Sequence, residues 1–188
     1  MIKILLHDVY RFLTFRVPSS HLREHANAYL WFGLLATSVA GVGRYWDNPR
    51  AALWQYLGLG SVAYVFVLAL LLYFMLMPLK PKNWTYQNVL LFITLTAPPA
   101  ILYAIPIERF MPLAQAAATN AWFLGIVAIW RVALYAWFLK AMCGLKGLAR
   151  FVALLLPLAL IVFALTALNL EHVVFRIMGG LMEDEKSA

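Results

Sequence analysis

Apolar residues fill five stretches of the chain, and short polar or proline-containing segments separate each stretch from the next. An α-helix needs about 20 mainly apolar residues to cross the hydrocarbon core of a bilayer, and these stretches approach or reach that length. We therefore predict an all-α integral membrane bundle that forms one polytopic domain over 1–188. Its five transmembrane helices are predicted at 28–43, 54–77, 86–105, 121–139 and 151–168.

The first sixteen residues show a helical period with one apolar and one polar face. The charged residues Asp8 and Arg11 belong to the polar face and would interrupt the apolar core of a secretory signal. We therefore predict a retained, interfacial amphipathic helix at 1–16. A second interfacial helix is predicted at 169–181, followed by an acidic tail at 182–188. The apolar face of the first helix consists of Ile2, Leu5, Leu6, Val9, Phe12 and Leu13.

The composition supports a membrane protein and limits its chemistry. Hydrophobic residues make up 64% of the chain and charged residues 12%, whereas soluble domains average about half apolar and a quarter charged. The net charge of +7 is scattered between apolar runs, which predicts a lipid bilayer as the partner and no nucleic acid. The single cysteine, Cys143, excludes an intrachain disulfide and a cysteine-based metal cluster.

Basic residues are distributed unequally between the two predicted sides of the membrane. With the N-terminus inside, nine Lys and Arg residues face the cytoplasm and five face the outside. The positive-inside rule then predicts a cytoplasmic N-terminus and an outside C-terminus, and the short tails favour a bacterial inner membrane. The inner residues are Lys3, Arg11, Arg16, Arg23, Lys80, Lys82, Lys140, Lys146 and Arg150. The outer residues are Arg44, Arg50, Arg109, Arg176 and Lys186.

Arg131 lies within the fourth apolar stretch, which contains no acidic residue. An Arg in hydrocarbon costs about 3 kcal/mol or more, so it needs partners. Pro98 and Pro99 lack amide hydrogens, so the carbonyls of Thr94 and Leu95 lose their helical donors. A rise of about 1.5 Å per residue puts Arg131 and Thr94 at about 13 and 12 Å above the inner boundary. We therefore predict that the guanidinium faces these carbonyls.

Two interpretations of Arg131 follow from this pairing. In the first, Arg131 is structural and locks the kinked third span to the fourth. In the second, the helix break and Arg131 line a polar cavity for a small anion or a lipid headgroup, as broken helices do in transporters.

Gly33, Thr37 and Gly41 recur at four-residue spacing on one face of the first predicted span. Such a face of small residues lets another helix approach closely. The neighbour can be a helix of the same chain, which is the more common use, or a helix of another subunit or membrane protein. The second alternative predicts a homo-oligomer or a complex with a protein partner.

The segment from His21 to His25 matches the H-x-x-E-H pattern of some zinc proteases. We interpret it as a polar turn, because the chain has no room for the soluble catalytic fold that the pattern requires. A weaker role of His21 and His25 in metal binding or pH sensing stays open. No catalytic, cofactor or metal site is assigned, and we predict that the protein is not an enzyme.

Three segments resemble the Yip1-type membrane protein family. They are Thr85–Leu90, which leads into the proline-broken third span, Ile129–Arg131, and the turn Gly144–Arg150. The resemblance implies five spans with the N-terminus inside and the C-terminus outside, and a role in membrane organisation or as a partner subunit without catalysis. We therefore predict a non-enzymatic scaffold or accessory subunit. The alternative is an oligomeric channel or carrier for a small anion or lipid, built around Arg131 and the break at Pro98-Pro99.

Overall fold

The computed structural model describes residues 2–45 and 52–167, and within these ranges every regular element is a helix. The predicted interfacial helix at 169–181 and the acidic tail at 182–188 lie outside the described residues. The α-helices are α1 (Ile2–Leu13), α2 (His21–Glu24), α3 (Ala26–Tyr45), α4 (Leu53–Tyr56), α5 (Leu59–Leu76), α6 (Tyr86–Leu95), α7 (Leu113–Ala141) and α8 (Gly147–Ala167).

Within the described residues, three helical segments are long and apolar enough to cross a membrane. They are Leu59–Leu79, Ala114–Ala141 and Gly147–Ala164. A fourth candidate is the bent pair formed by α6 and the 3₁₀ segment Pro98–Ala104, if the pair counts as one span. Length and composition thus support three to four spans. The first predicted span, 28–43, lies within α3, which is not among these candidates.

The third predicted span is broken where two prolines follow α6. The helix ends at Leu95, and Pro98–Ala104 continues as a 3₁₀ helix bent by 41°. The last turn before the break has the hydrogen-bond spacing of a 3₁₀ helix, because the amide of Ala97 donates to the carbonyl of Thr94, three residues earlier, at 3.0 Å. The expectation that this carbonyl lacks a donor was therefore wrong. The Leu95 carbonyl still loses its usual helical donors, since these positions are prolines.

The N-terminal helix α1 docks on the bundle. Phe12 is buried and makes edge-to-face contacts with Phe92 and Trp137, at centroid distances of 6.0 and 5.6 Å. The indole N–H of Trp130 donates to the Leu13 carbonyl at 3.0 Å. Asp8, which the sequence placed on the polar face, is only 1% exposed. This assignment was wrong because helical periodicity does not reveal partners from distant segments.

The rest of α1 remains apolar and exposed on one side. Ile2, Leu6 and Tyr10 follow one helical stripe and are 72%, 50% and 63% exposed. The cationic Lys3 and the adjacent His7 are also exposed. One side of α1 therefore packs on the protein while the other has the composition of a helix that faces a membrane interface.

Candidate ligand-binding site

The face formed by Gly33, Thr37 and Gly41 is covered within the chain. A Cβ atom added at Gly33 would lie 2.5 Å from the Thr94 hydroxyl, and one added at Gly41 would lie 2.7 Å from the Ser61 hydroxyl. Thr37 is buried, and its hydroxyl donates to the Gly33 carbonyl at 2.8 Å. The neighbour of this face is therefore internal. The face is not open to another subunit or protein partner as the sequence alternative required.

Arg131 is half-buried on α7, and two contacts define its register against the broken span. One turn before it, Val127 packs in a cluster with Ala100. Further along α7, Phe138 stacks on Phe92 with ring centroids 4.3 Å apart. Because α7 and the broken span run in opposite directions, Arg131 falls between these contacts and close to the level of the proline break.

Arg131 thus lies near the level of the proline break, as its predicted depth requires. This level does not show which atoms the guanidinium contacts. Thr94 is fully buried, and its hydroxyl donates to the Leu91 carbonyl at 3.1 Å. With the Thr94 carbonyl bonded to Ala97, the Leu95 carbonyl is the better acceptor for the guanidinium. The pairing of Arg131 with the break at Pro98-Pro99 stays a prediction.

A cavity of about 350 Å³ lies where α1, α2, α6 and the end of α7 meet. This volume is within the range of small-molecule sites, about 300–1,000 Å³. Arg23, Lys82, Asn83 and Asn88 contribute its polar side chains, and none of the described residues that line it is acidic. The apolar lining consists of Phe12, Val17, Leu22, Leu91, Phe92, Leu95, Phe138, Ala141, Met142 and Cys143.

Two turns at the same end of the bundle hold the polar side of this cavity. The amide of Lys82 donates to the Cys143 carbonyl at 2.9 Å, which joins the turn before α6 to the turn after α7. The Lys82 side chain lies over Gly144, where an added Cβ would approach its Cδ to 3.2 Å. Gly144 also has a φ of +66°, a conformation that favours glycine. The hydrogen bond to Cys143 thus fixes the backbone of Lys82 at the cavity.

Asparagine side chains complete the polar side. The side-chain nitrogen Nδ2 of Asn88 donates to the backbone carbonyl of Asn83 at 2.8 Å. The Thr85 hydroxyl caps α6 by accepting from the backbone N–H of Asn88 at 3.2 Å. Asn83 has a φ of +53°, which asparagine tolerates better than most residues. The amide groups of both asparagines can donate and accept hydrogen bonds.

Cys143 is 3% exposed and belongs to the apolar lining. Burial raises the pKa of its thiol to about 12. The thiol is therefore protonated at neutral pH, and Cys143 behaves as a small apolar residue rather than as a nucleophile.

The sequence did not reveal this cavity. Its lining residues come from three segments that are distant along the chain, 12–23, 82–95 and 138–143, and only the folded bundle brings them together. The sequence predicted Lys82 only as one of the basic residues on the inner side of the membrane. The excess of basic residues near Lys82 was the only available signal. It indicates a side of the membrane, but it indicates neither how deep these residues lie nor which apolar residues lie beside them.

Comparison of the chain with family models, with curated proteins and with solved structures finds no match. The resemblance to the Yip1-type family therefore stays a prediction that depends on the quoted segments alone.

Proposed function

We propose that this protein is a non-enzymatic membrane protein that binds an amphipathic anion, namely an anionic lipid, in the cavity between α1, α6 and α7. One observation supports this proposal more than any other. Arg23, Lys82 and two asparagine amides line an otherwise apolar cavity that contains no acidic lining residue among the described ones. A phosphate headgroup matches the cationic and amide side chains, and a section of an acyl chain matches the aromatic and aliphatic ones.

The chemistry of each part supports this ligand class. Arg23 and Lys82 provide charge-assisted hydrogen bonds to phosphate oxygens, and arginine can do so with two parallel bonds. Phe92 and Phe138 provide apolar surface whose burial against a chain is worth about 25 cal/mol per Å². The proposal moves the predicted anion or lipid site from Arg131 to the end of the bundle.

We further propose five spans, with the N-terminus cytoplasmic. The helix α3 has 20 residues, so it is about 30 Å long and matches the hydrocarbon thickness. Gly33 lies against Thr94 near the middle of α3, and Gly43 lies against Ala104 near its C-terminal end, which supports a course parallel to the broken third span. The small residues that allow this packing also lower the hydropathy of α3.

Cysteine accessibility tests the topology, because Cys143 is the only native cysteine. In a Cys143→Ser background, we expect Phe110→Cys to react with a membrane-impermeant maleimide in intact cells. Lys80→Cys should react only after permeabilisation, since it lies in the turn next to the proposed cytoplasmic cavity. The reverse pattern would contradict the proposed orientation.

Lipid retention tests the proposed function. We expect native mass spectrometry of protein from mixed phosphatidylglycerol and phosphatidylcholine nanodiscs to show preferential retention of the anionic lipid. Arg23→Gln together with Lys82→Gln should weaken retention about 10-fold or more, because each change removes a charge-assisted hydrogen bond worth about 1.5–3 kcal/mol. The matched control is Lys80→Gln with Lys146→Gln, which removes the same charge from residues that do not line the cavity.

Equal effects of both double variants would show that only the general positive charge attracts lipid. No preference in the wild-type protein would favour the scaffold or accessory-subunit role predicted from the sequence. That role would need a surface other than the covered Gly33 face. Trp31, Leu35 and Val39 form an exposed, apolar stripe along α3. We would then propose this stripe as the surface that contacts a protein partner.

A further inference from the structure

Three side chains with metal-binding chemistry converge at the junction of α2 and α3, outside the cavity described above. His21, Glu24 and His25 each offer one ligand atom, and these atoms lie within 4.8 Å of one another. The two imidazole rings are stacked, with centroids 6.0 Å apart and planes inclined by 8°. The Nδ1 atom of His21 lies 3.5 Å from a carboxylate oxygen of Glu24.

The local backbone explains this convergence. The amide of His25 donates to the His21 carbonyl at 2.9 Å, which closes one helical turn between the two histidines. Residues three and four apart on a helix are neighbours on its surface. Glu24 and His25 therefore both fall on the same side of the turn as His21.

The turn is fixed to α1 on both sides of the cluster. Before it, the amide and hydroxyl of Ser19 donate to the Asp8 carboxylate at 3.0 and 2.6 Å. After it, the Tyr29 hydroxyl donates to the same carboxylate at 2.7 Å. Leu22, within the turn, is buried. The backbone that carries the cluster is thus held in place without a contribution from the three side chains.

We propose that His21, Glu24 and His25 bind a divalent transition-metal ion, with Zn²⁺ as the reference ion. Two imidazole nitrogens and one carboxylate oxygen form a ligand set that suits zinc and is unsuited to Ca²⁺ or Mg²⁺. Tetrahedral zinc with bonds of about 2.0–2.2 Å places its ligand atoms about 3.4 Å apart. Small rotations of these accessible side chains close the distances to that value, and water fills the fourth position.

The surroundings favour a structural or sensing role for the ion over hydrolysis. The side chains of His21 and Glu24 are 46% and 59% exposed, so the site is not enclosed by a water-excluding fold. A groove of about 230 Å³ beside the histidines is lined by Ile4, Leu5, Ala28 and Tyr29. The ion would stiffen the junction against which α1 docks.

Zinc binding by the full-length protein, purified with a tag that contains no histidine, tests this proposal. We expect isothermal titration calorimetry to give one Zn²⁺ per chain, and Co²⁺ to give the visible absorption of a tetrahedral nitrogen and oxygen site. His21→Ala with His25→Ala should weaken binding by at least about 10-fold, and Glu24→Gln should weaken it less. The matched control is His7→Ala, which removes an exposed histidine of α1 that is not in the cluster.

Two outcomes would overturn the proposal. One is the absence of both the zinc heat and the cobalt absorption in wild-type protein. The other is an equal loss of zinc affinity in His7→Ala, which would indicate binding by surface histidines in general. Thermal unfolding without metal checks that each variant is folded, and the cobalt spectrum of Glu24→Gln provides a readout even if the double variant does not fold.

Discussion

Replacing Gly33 with alanine is expected to lower the free energy of unfolding by about 1–3 kcal/mol, the usual cost of overpacking a tight core. The added methyl group would lie 2.5 Å from the Thr94 hydroxyl and 3.0 Å from its backbone carbonyl carbon. Thr94 cannot move away easily, because its hydroxyl is bonded to Leu91 and it precedes the proline break. Gly33→Leu should prevent recovery of a monodisperse protein. Thermal unfolding in nanodiscs, followed by tryptophan fluorescence, measures the effect.

Gly125→Ala is the matched control for this experiment. It makes the same chemical change in the middle of α7, where an added Cβ meets nothing within 4 Å. Alanine is the better helix former by about 1 kcal/mol, so we expect this control to be neutral or stabilising. If Gly33→Ala unfolds at the same temperature as the control, α3 is not packed against the broken span as described.

The length of the apolar runs predicted much of the helical framework, because crossing a bilayer requires a minimum number of apolar residues whatever their order. The run around Arg131 and the proline break both fall within helical segments of the structure. The case of α3 shows the limit of this reasoning. Gly33, Thr37 and Gly41 could be recognised as a packing face, but spacing alone does not identify Thr94 and Ser61 as the neighbours.

The candidate cavity could not be predicted, because it depends on contacts between distant segments. The Lys82 amide and the Cys143 carbonyl are separated by 61 positions and become neighbours only when the bundle forms. The histidine cluster is the opposite case, since its three ligands lie within five consecutive residues. The local pattern was visible there, and what the sequence lacked was the fixed backbone on which these side chains meet.

Replacing Asp8 with alanine is expected to detach α1 and to lower the free energy of unfolding by on the order of 3 kcal/mol. The change leaves the two part-buried Ser19 donors and the buried Tyr29 hydroxyl without their acceptor, and an unsatisfied buried donor costs about 1–3 kcal/mol. Hydrogen exchange followed by mass spectrometry should show fast exchange across Ile2–Leu13 while α7 stays protected. Ser19→Ala should have a smaller effect in the same direction. Its matched control is Ser20→Ala, since Ser20 makes no side-chain cap hydrogen bond.

The same carboxylate makes docking of α1 depend on pH. Burial raises the pKa of Asp8, but the hydrogen bonds from Ser19 and Tyr29 and the nearby Arg11 outweigh it, so the pKa is lowered overall. The stabilisation from a lowered pKa is complete above the usual carboxyl value of about 4 and is lost as the pH falls through the folded value. We therefore expect the protection of α1 amides, corrected for the pH dependence of intrinsic exchange, to fall below pH 4 in the wild-type protein. In Asp8→Asn, α1 should be loosened at every pH without this transition, and a transition that persists there would assign it to another group.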